Sequence, residues 1–164
     1  MICSLHESLL LQHDPQLQLV RWQWNGPLSL LRFQMALERL LLFSRQYKIR
    51  QWLVDISQMP PLGNDEQAWV SQRWVAQFAR IGVSNLALML PDDLHNQLAM
   101  EHILDSGRCY TQLNVQFFAD FPAALDWLSK TPEDVQRLEK EWFVAANTAP
   151  QPSIQNLSLD KLLD

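Results

Sequence analysis

At 164 residues the chain has room for one domain with short appendages, and 48% apolar against 19% charged residues is a composition that can bury a core. A formal net charge of -5 excludes the usual kind of nucleic-acid binder, whose affinity comes from Lys and Arg at phosphates. Basic residues fall in small groups such as Arg45, Lys48 and Arg50, which read as a solvated helix end. The only two cysteines, Cys3 and Cys109, have neither metal-type spacing nor a disulfide framework.

The opening "MICSLHESLLLQHD" has an apolar stretch but no basic segment before it, and His, Glu and Asp interrupt it, so it makes a poor signal peptide. No run approaches the roughly 20 apolar residues that span a bilayer. The expectation is a soluble cytoplasmic protein.

Residues 8–13 and 17–24 read as two strands joined at the turn dipeptide Asp14-Pro15, an antiparallel hairpin. In the second, Leu17 and Leu19 alternate, then Val20, Trp22 and Trp24 alternate in the opposite phase, which predicts a bulge or a strand apolar on both faces. "NGP" closes it. A helix follows from Ser29, its N-cap, to Tyr47, with Leu30, Phe33, Leu37, Leu40 and Leu41 at helical spacing. Gln51–Ile56 is nearly all apolar, as a central strand covered on both faces would be.

Residues 65–81 predict a second helix, with Val70, Trp74, Phe78 and Ile81 on one stripe and Trp69 off it. "NLALML" at 85–90 is another apolar strand. Asp92 or Asp93 can cap a third helix to about Ser106, which Gly107 would end. A strand at 114–120 and a short helix at 121–128 complete an α/β domain over residues 1–129: a central mixed sheet with the N-terminal hairpin, then successive α-β units joined by right-handed crossovers. Residues 130–148 form a separate amphipathic helix, with Thr131 at its cap, Pro132 first, and Val135, Leu138, Trp142 and Phe143 as its apolar face. Residues 149–164 read as a mobile tail.

Much common chemistry is missing. The four glycines are scattered, so there is no phosphate-binding loop, and there is no G-x-S-x-G elbow or H-E-x-x-H pair. No cofactor is therefore expected. His95 and His102 lie seven apart with Glu101 between them, but a metal would need a third donor such as Asp92 or Cys109; two surface histidines are the simpler reading, and no metal site is expected.

The stretch "WLVDISQMPPLGNDEQAW" places Asp55 and Ser57 at the end of a buried strand. Both side chains can take up free amides of the loop that follows, and Pro60-Pro61 stiffens that loop. "LVDISQMPPLGND" resembles the strand-to-helix segment of the STAS (SpoIIAA-like, anti-sigma-factor-antagonist-like) family, with Asp55, Ile56 and Ser57 matching the strand end. "NVQFFADFPAALDWL" is similar to that family's Phe-bearing strand and following helix, through Ala124, Leu125, Trp127 and Leu128. The resemblance spans roughly residues 8–129 and implies the SpoIIAA-like fold.

In the regulatory members a serine of a D-S-S-G motif at the helix start accepts a phosphate. Its two serine positions fall here on Asn64 and Asp65, so the resemblance implies that this switch is lost. Both residues are good N-caps, and Asp65 would supply a smaller, fixed negative charge.

Two functional readings result. The first is a non-catalytic regulatory or protein-interaction module, docking a protein partner or a second copy through the 57–66 loop, the helix start, Trp69, or Trp142 and Phe143. Its candidate binding residues are Asp55, Ser57, Asn64, Asp65 and Trp69. The second is a binder of a small apolar ligand, since bacterial members of the group are also compared with SEC14-like lipid carriers; Trp52, Met59, Trp69 and Met89 could line a pocket. A small enzyme built on Asp55 has only the acid's position in its favour. An interaction module should lack a sizeable cavity and a carrier should have one.

Overall fold

The structure is a computed structural model that describes residues 1–108 and 112–148. Cys109 and the segment 149–164 lie outside the described residues. Six strands form one mixed sheet in chain order: β1 (Ile2–His6), β2 (Leu9–Asp14), β3 (Leu19–Trp24), β4 (Gln51–Asp55), β5 (Asn85–Met89) and β6 (Asn114–Phe118). The pairs β1–β2 and β2–β3 are antiparallel, and the three pairs from β3 to β6 are parallel.

That order dictates where the helices go. Three successive crossovers step the same way across the sheet, and right-handed connections then place every crossover helix on one face. These are α1 (Leu30–Gln46), α2 (Asn64–Trp69), a π turn at Val70–Trp74, α3 (Val75–Phe78) and α4 (Leu94–Gly107). The other face is covered after β6 by α5 (Phe121–Leu128) and α6 (Pro132–Asn147). Strand alternation divides the side chains accordingly. Val20, Trp22, Trp24, Trp52, Val54, Leu86 and Leu88 join the α1–α4 core, while Leu19, Leu53, Ala87 and Met89 join Ala124, Leu125 and Leu138 beneath α5 and α6.

The expected hairpin is β2–β3, held at its turn by Asp14 Oδ1, which accepts from the Leu17 amide at 2.9 Å. The phase change at Leu19–Val20 is a strand apolar on both faces; the register shift lies in β1, between Ser4 and His6. β1 itself was not expected, because His6 and Glu7 hide a strand whose Cys3 and Leu5 are buried. Ser29 caps α1 through the Arg32 amide, Asp93 caps α4 and Thr131 caps α6.

Three expectations need correcting. The N-cap of α2 is Gly63, and Asn64 and Asp65 lie exposed within the first turn. Gly63 is extended (φ -70°, ψ 168°) and gives the helix no side-chain cap, and the helix begins one residue earlier than expected. Gly107 is the last residue of α4 rather than a left-handed terminator; its missing Cβ gives room to Val75 Cγ1 of α3, which would stand 3.0 Å from it. Phe143, placed on the buried face of α6, is 69% exposed, while Val135 and Leu138 pack inward.

α6 is pinned to the sheet of the same chain. Gln12 Nε2 donates to the Leu138 carbonyl at 3.0 Å and to Glu141 Oε2 at 2.7 Å, and Arg137 pairs with Asp14.

Candidate functional site

Asp55 is buried, and its Oδ1 accepts from both the amide of Ser57 (3.0 Å) and its hydroxyl (2.6 Å). This is a turn that ends β4 and launches the 57–63 loop. By alternation Asp55 points to the α5–α6 face, whereas its neighbours Val54 and Ile56 belong to the α1–α4 core. Asn64 and Asp65 stand exposed at the far end of the loop. Trp69 is half-buried against Phe33 of α1, ring centroids 6.1 Å apart. The five expected binding residues thus do not converge on one concave site.

The loop has a second anchor. Buried Asn96 of α4 accepts from the Leu62 amide at 2.9 Å and donates to the carbonyls of Met59 (3.2 Å) and Pro60 (3.3 Å). His95 Nε2 lies 2.7 Å from the Leu62 carbonyl, which can only accept, so that nitrogen carries its proton. His95 is thereby given to the loop. Among the described residues no three His, Cys, Asp or Glu side chains cluster to hold a metal.

What this loop closes is a cavity of about 540 Å³. Its floor is β3 to β6, through Trp22, Trp52, Val54, Leu86, Leu88 and Val115. Its roof is the π turn, α3 and α4; Phe33 and Leu37 of α1 and loop residues Met59 and Leu62 complete one end. Of the four residues expected in an apolar pocket, Trp52 and Met59 line it. Met89 packs in the opposite core, and Trp69 packs on Phe33 outside the lining.

The walls are rigid aromatics with most of their polar atoms spoken for. Trp74 lies parallel to Phe78 at 5.1 Å and Trp52 meets the Phe78 ring at 4.9 Å. Trp52 Nε1 donates to Ser44 Oγ at 3.1 Å and Trp74 Nε1 to the Leu37 carbonyl at 3.2 Å. Trp22 Nε1 is buried with no acceptor among the described residues. The π turn carries Val70 and Trp74 into the roof; such turns insert one residue and shift the helix face that follows.

The cavity has a closed end and an open one. Among the described lining residues Trp22, Phe33, Leu37 and Trp52 are buried, whereas Arg108, Asn114 and Phe117 are exposed, so the mouth lies at the side of Arg108 and the edge strand β6. Volume and lining fit the concave, mostly apolar sites that hold small molecules.

The opposite face is built differently. Arg21, 2% exposed, lies with its guanidinium carbon 4.1 Å from the Phe121 ring centre and 4.0 Å from that of Trp142. Burial pulls its pKa down to about 10, while Glu139, 3.3 Å away, and Asp55 pull it back up. Burial draws the Asp14 carboxyl upward, but the Leu17 amide and Arg137 together hold it below the usual range. Burial also pushes the Cys3 thiol up to about 11 and lowers His6 and His13.

The chain matches no protein-family model, no curated protein and no solved structure.

Beyond Trp52 and Met59 the lining was illegible in the sequence: Leu86, Leu88 and Val115 read as core, and a wall of a cavity has the composition of a core. Asn96 did carry a signal. It occupies the buried stripe of α4 with Ala99 and Ile103, where an amide needs partners.

Proposed function

We propose that this is a non-catalytic SpoIIAA-like (STAS) domain whose task is to bind a small apolar ligand between its sheet and its crossover helices. The observation that carries the reading is the cavity of about 540 Å³, walled by aromatic and aliphatic side chains. The mouth leaves apolar wall open to solvent, and a ligand that covers it gains about 25 cal/mol per Å² of apolar surface buried. The sequential strand order, with all crossover helices on one face, supports the family reading, as does the Asp55–Ser57 turn. A helix start of Asn64 and Asp65 offers no hydroxyl for a phosphate.

Nile red, a neutral apolar dye, tests this. Saturable 1:1 binding to the wild type is expected, weakened at least tenfold in Val54→Phe, which fills the floor, and in Leu113→Trp, which narrows the mouth. Absence of saturable binding, or equal binding in both folded variants, would overturn the reading.

A second reading, docking of a protein partner or second copy, is favoured by Phe143 and Val144, 69% and 53% exposed on the outer side of α6. An oligomer lost on Phe143→Ser would support it.

A further inference from the structure

The distribution of polarity around the cavity narrows what it holds. Among the described residues that line it, Arg108 is the one charged side chain and Asn114 the one side-chain amide. Both stand at the mouth, beside exposed Phe117. From there the floor crosses β6, β5, β4 and β3 to Trp22, three strand spacings or about 14 Å. Apart from the unpaired indole N–H of Trp22 at its inner end, the channel is apolar with its one charged side chain at the mouth, which matches a molecule with one charged end.

We propose that the ligand is a single-chain amphiphile with a carboxylate head. The head sits at Arg108 and Asn114, and the chain runs inward beneath α4, α3 and the π turn toward Trp22. This rests on reading the cavity as a ligand site. A guanidinium suits the head because its planar fork matches a carboxylate in two-pronged geometry, and Asn114 can donate one more hydrogen bond. Two features oppose an anion there: the C-terminal carbonyls of α4, and Asp105, whose Oδ1 lies 3.2 Å from Arg108 Nε. The chain also carries a net charge of -5. Arg108 is therefore the group on which head selectivity depends, and removing it should abolish the preference.

Dodecanoate and 1-dodecanol, equal in chain and different in head, separate the claims when each displaces Nile red from the full chain. Wild type should bind dodecanoate at least tenfold more tightly than dodecanol. In Arg108→Gln dodecanoate should lose about tenfold while dodecanol is unchanged, and Arg108→Lys should recover part of the loss. Equal binding of both probes by wild type, or an Arg108→Gln variant that keeps the carboxylate preference, would overturn the assignment of the head and leave the apolar-ligand reading standing. Failure of both probes to displace the dye would overturn the single-chain amphiphile, with a bulkier apolar ligand left as the occupant. Absence of Nile red binding altogether would sink both.

Discussion

The two faces of one sheet are packed to different ends. Beneath α5 and α6, small residues such as Ala87 and Ala124 let the helices approach, Leu53, Leu125 and Leu138 fill the space, and Arg21 is clasped between two rings. Beneath α1 to α4, large aromatics line a space they do not fill. Size of side chain is thus a poor guide to tightness: three tryptophans, Trp22, Trp52 and Trp74, line a void on the α1–α4 side, while alanines on the other side close a core. What decides is whether helices are pinned near the sheet or propped away from it. Gln12, Asp14 and Arg21 each bond to α6 directly from the sheet; on the cavity face Trp52 likewise bonds to Ser44 of α1, whereas Asn96 of α4 bonds to the loop at the rim.

Truncation of matched leucines breaks or sharpens this contrast most strongly. Leu53→Ala, on the closed face, should cost about 4 kcal/mol in denaturant unfolding, within the range for a buried leucine that leaves a new cavity. Leu88→Ala, equally buried on the neighbouring strand but already facing open space, should cost about 2 kcal/mol, because fewer contacts are forfeited. Equal losses would mean that the cavity side is as well packed as the other.

Arg21 comes next. Arg21→Ala should destabilise by about 3 kcal/mol, losing two ring contacts and the stem that fills the space between them. Arg21→Met should recover most of this, since an apolar replacement of a buried charge is often neutral. A Met variant as unstable as Ala would show that the charge itself, not the packing, holds α6.

A smaller effect is expected at the loop. Asn96→Ala should cost about 2 kcal/mol by leaving the Leu62 amide and two carbonyls unpaired, and hydrogen exchange should rise in residues 57–63 without rising in β3.

The smallest effect is a pH dependence. Burial holds His6 and His13 below their ordinary 6.5 in the folded chain, so the unfolded chain binds more protons as the medium acidifies. Their contribution to stability is whole above pH 6.5 and declines as pH falls through the lowered folded values. Melting temperature should therefore drop between pH 7.5 and 5.5, and His13→Phe, which keeps a ring against Phe43 and Tyr47, should flatten that slope.

The caps show how far sequence reaches. Ser29, Asp93 and Thr131 stop and start helices through bonds within three residues, so local chemistry made them readable. Gly107 was misjudged because its role depends on Val75 of another helix, whereas the cap of α2, placed on Asn64 or Asp65, fell on the adjacent Gly63. β1 escaped for a related reason: its pairing with β2, not its own patterning, makes it a strand. Asp55 and Ser57 were legible as a turn. The cavity was not, since nothing in Trp22, Leu88 or Val115 distinguishes a wall from a filling; the difference is the space left between them and the residues of α3 and α4.

The most direct measurement is native mass spectrometry of the chain purified without detergent, beside the denatured spectrum of the same sample. The account expects a native mass above that of the chain by the mass of one small ligand, which disappears on denaturation. A native mass equal to the bare chain, with no gain in melting temperature on adding dodecanoate, dodecanol or Nile red, would contradict it.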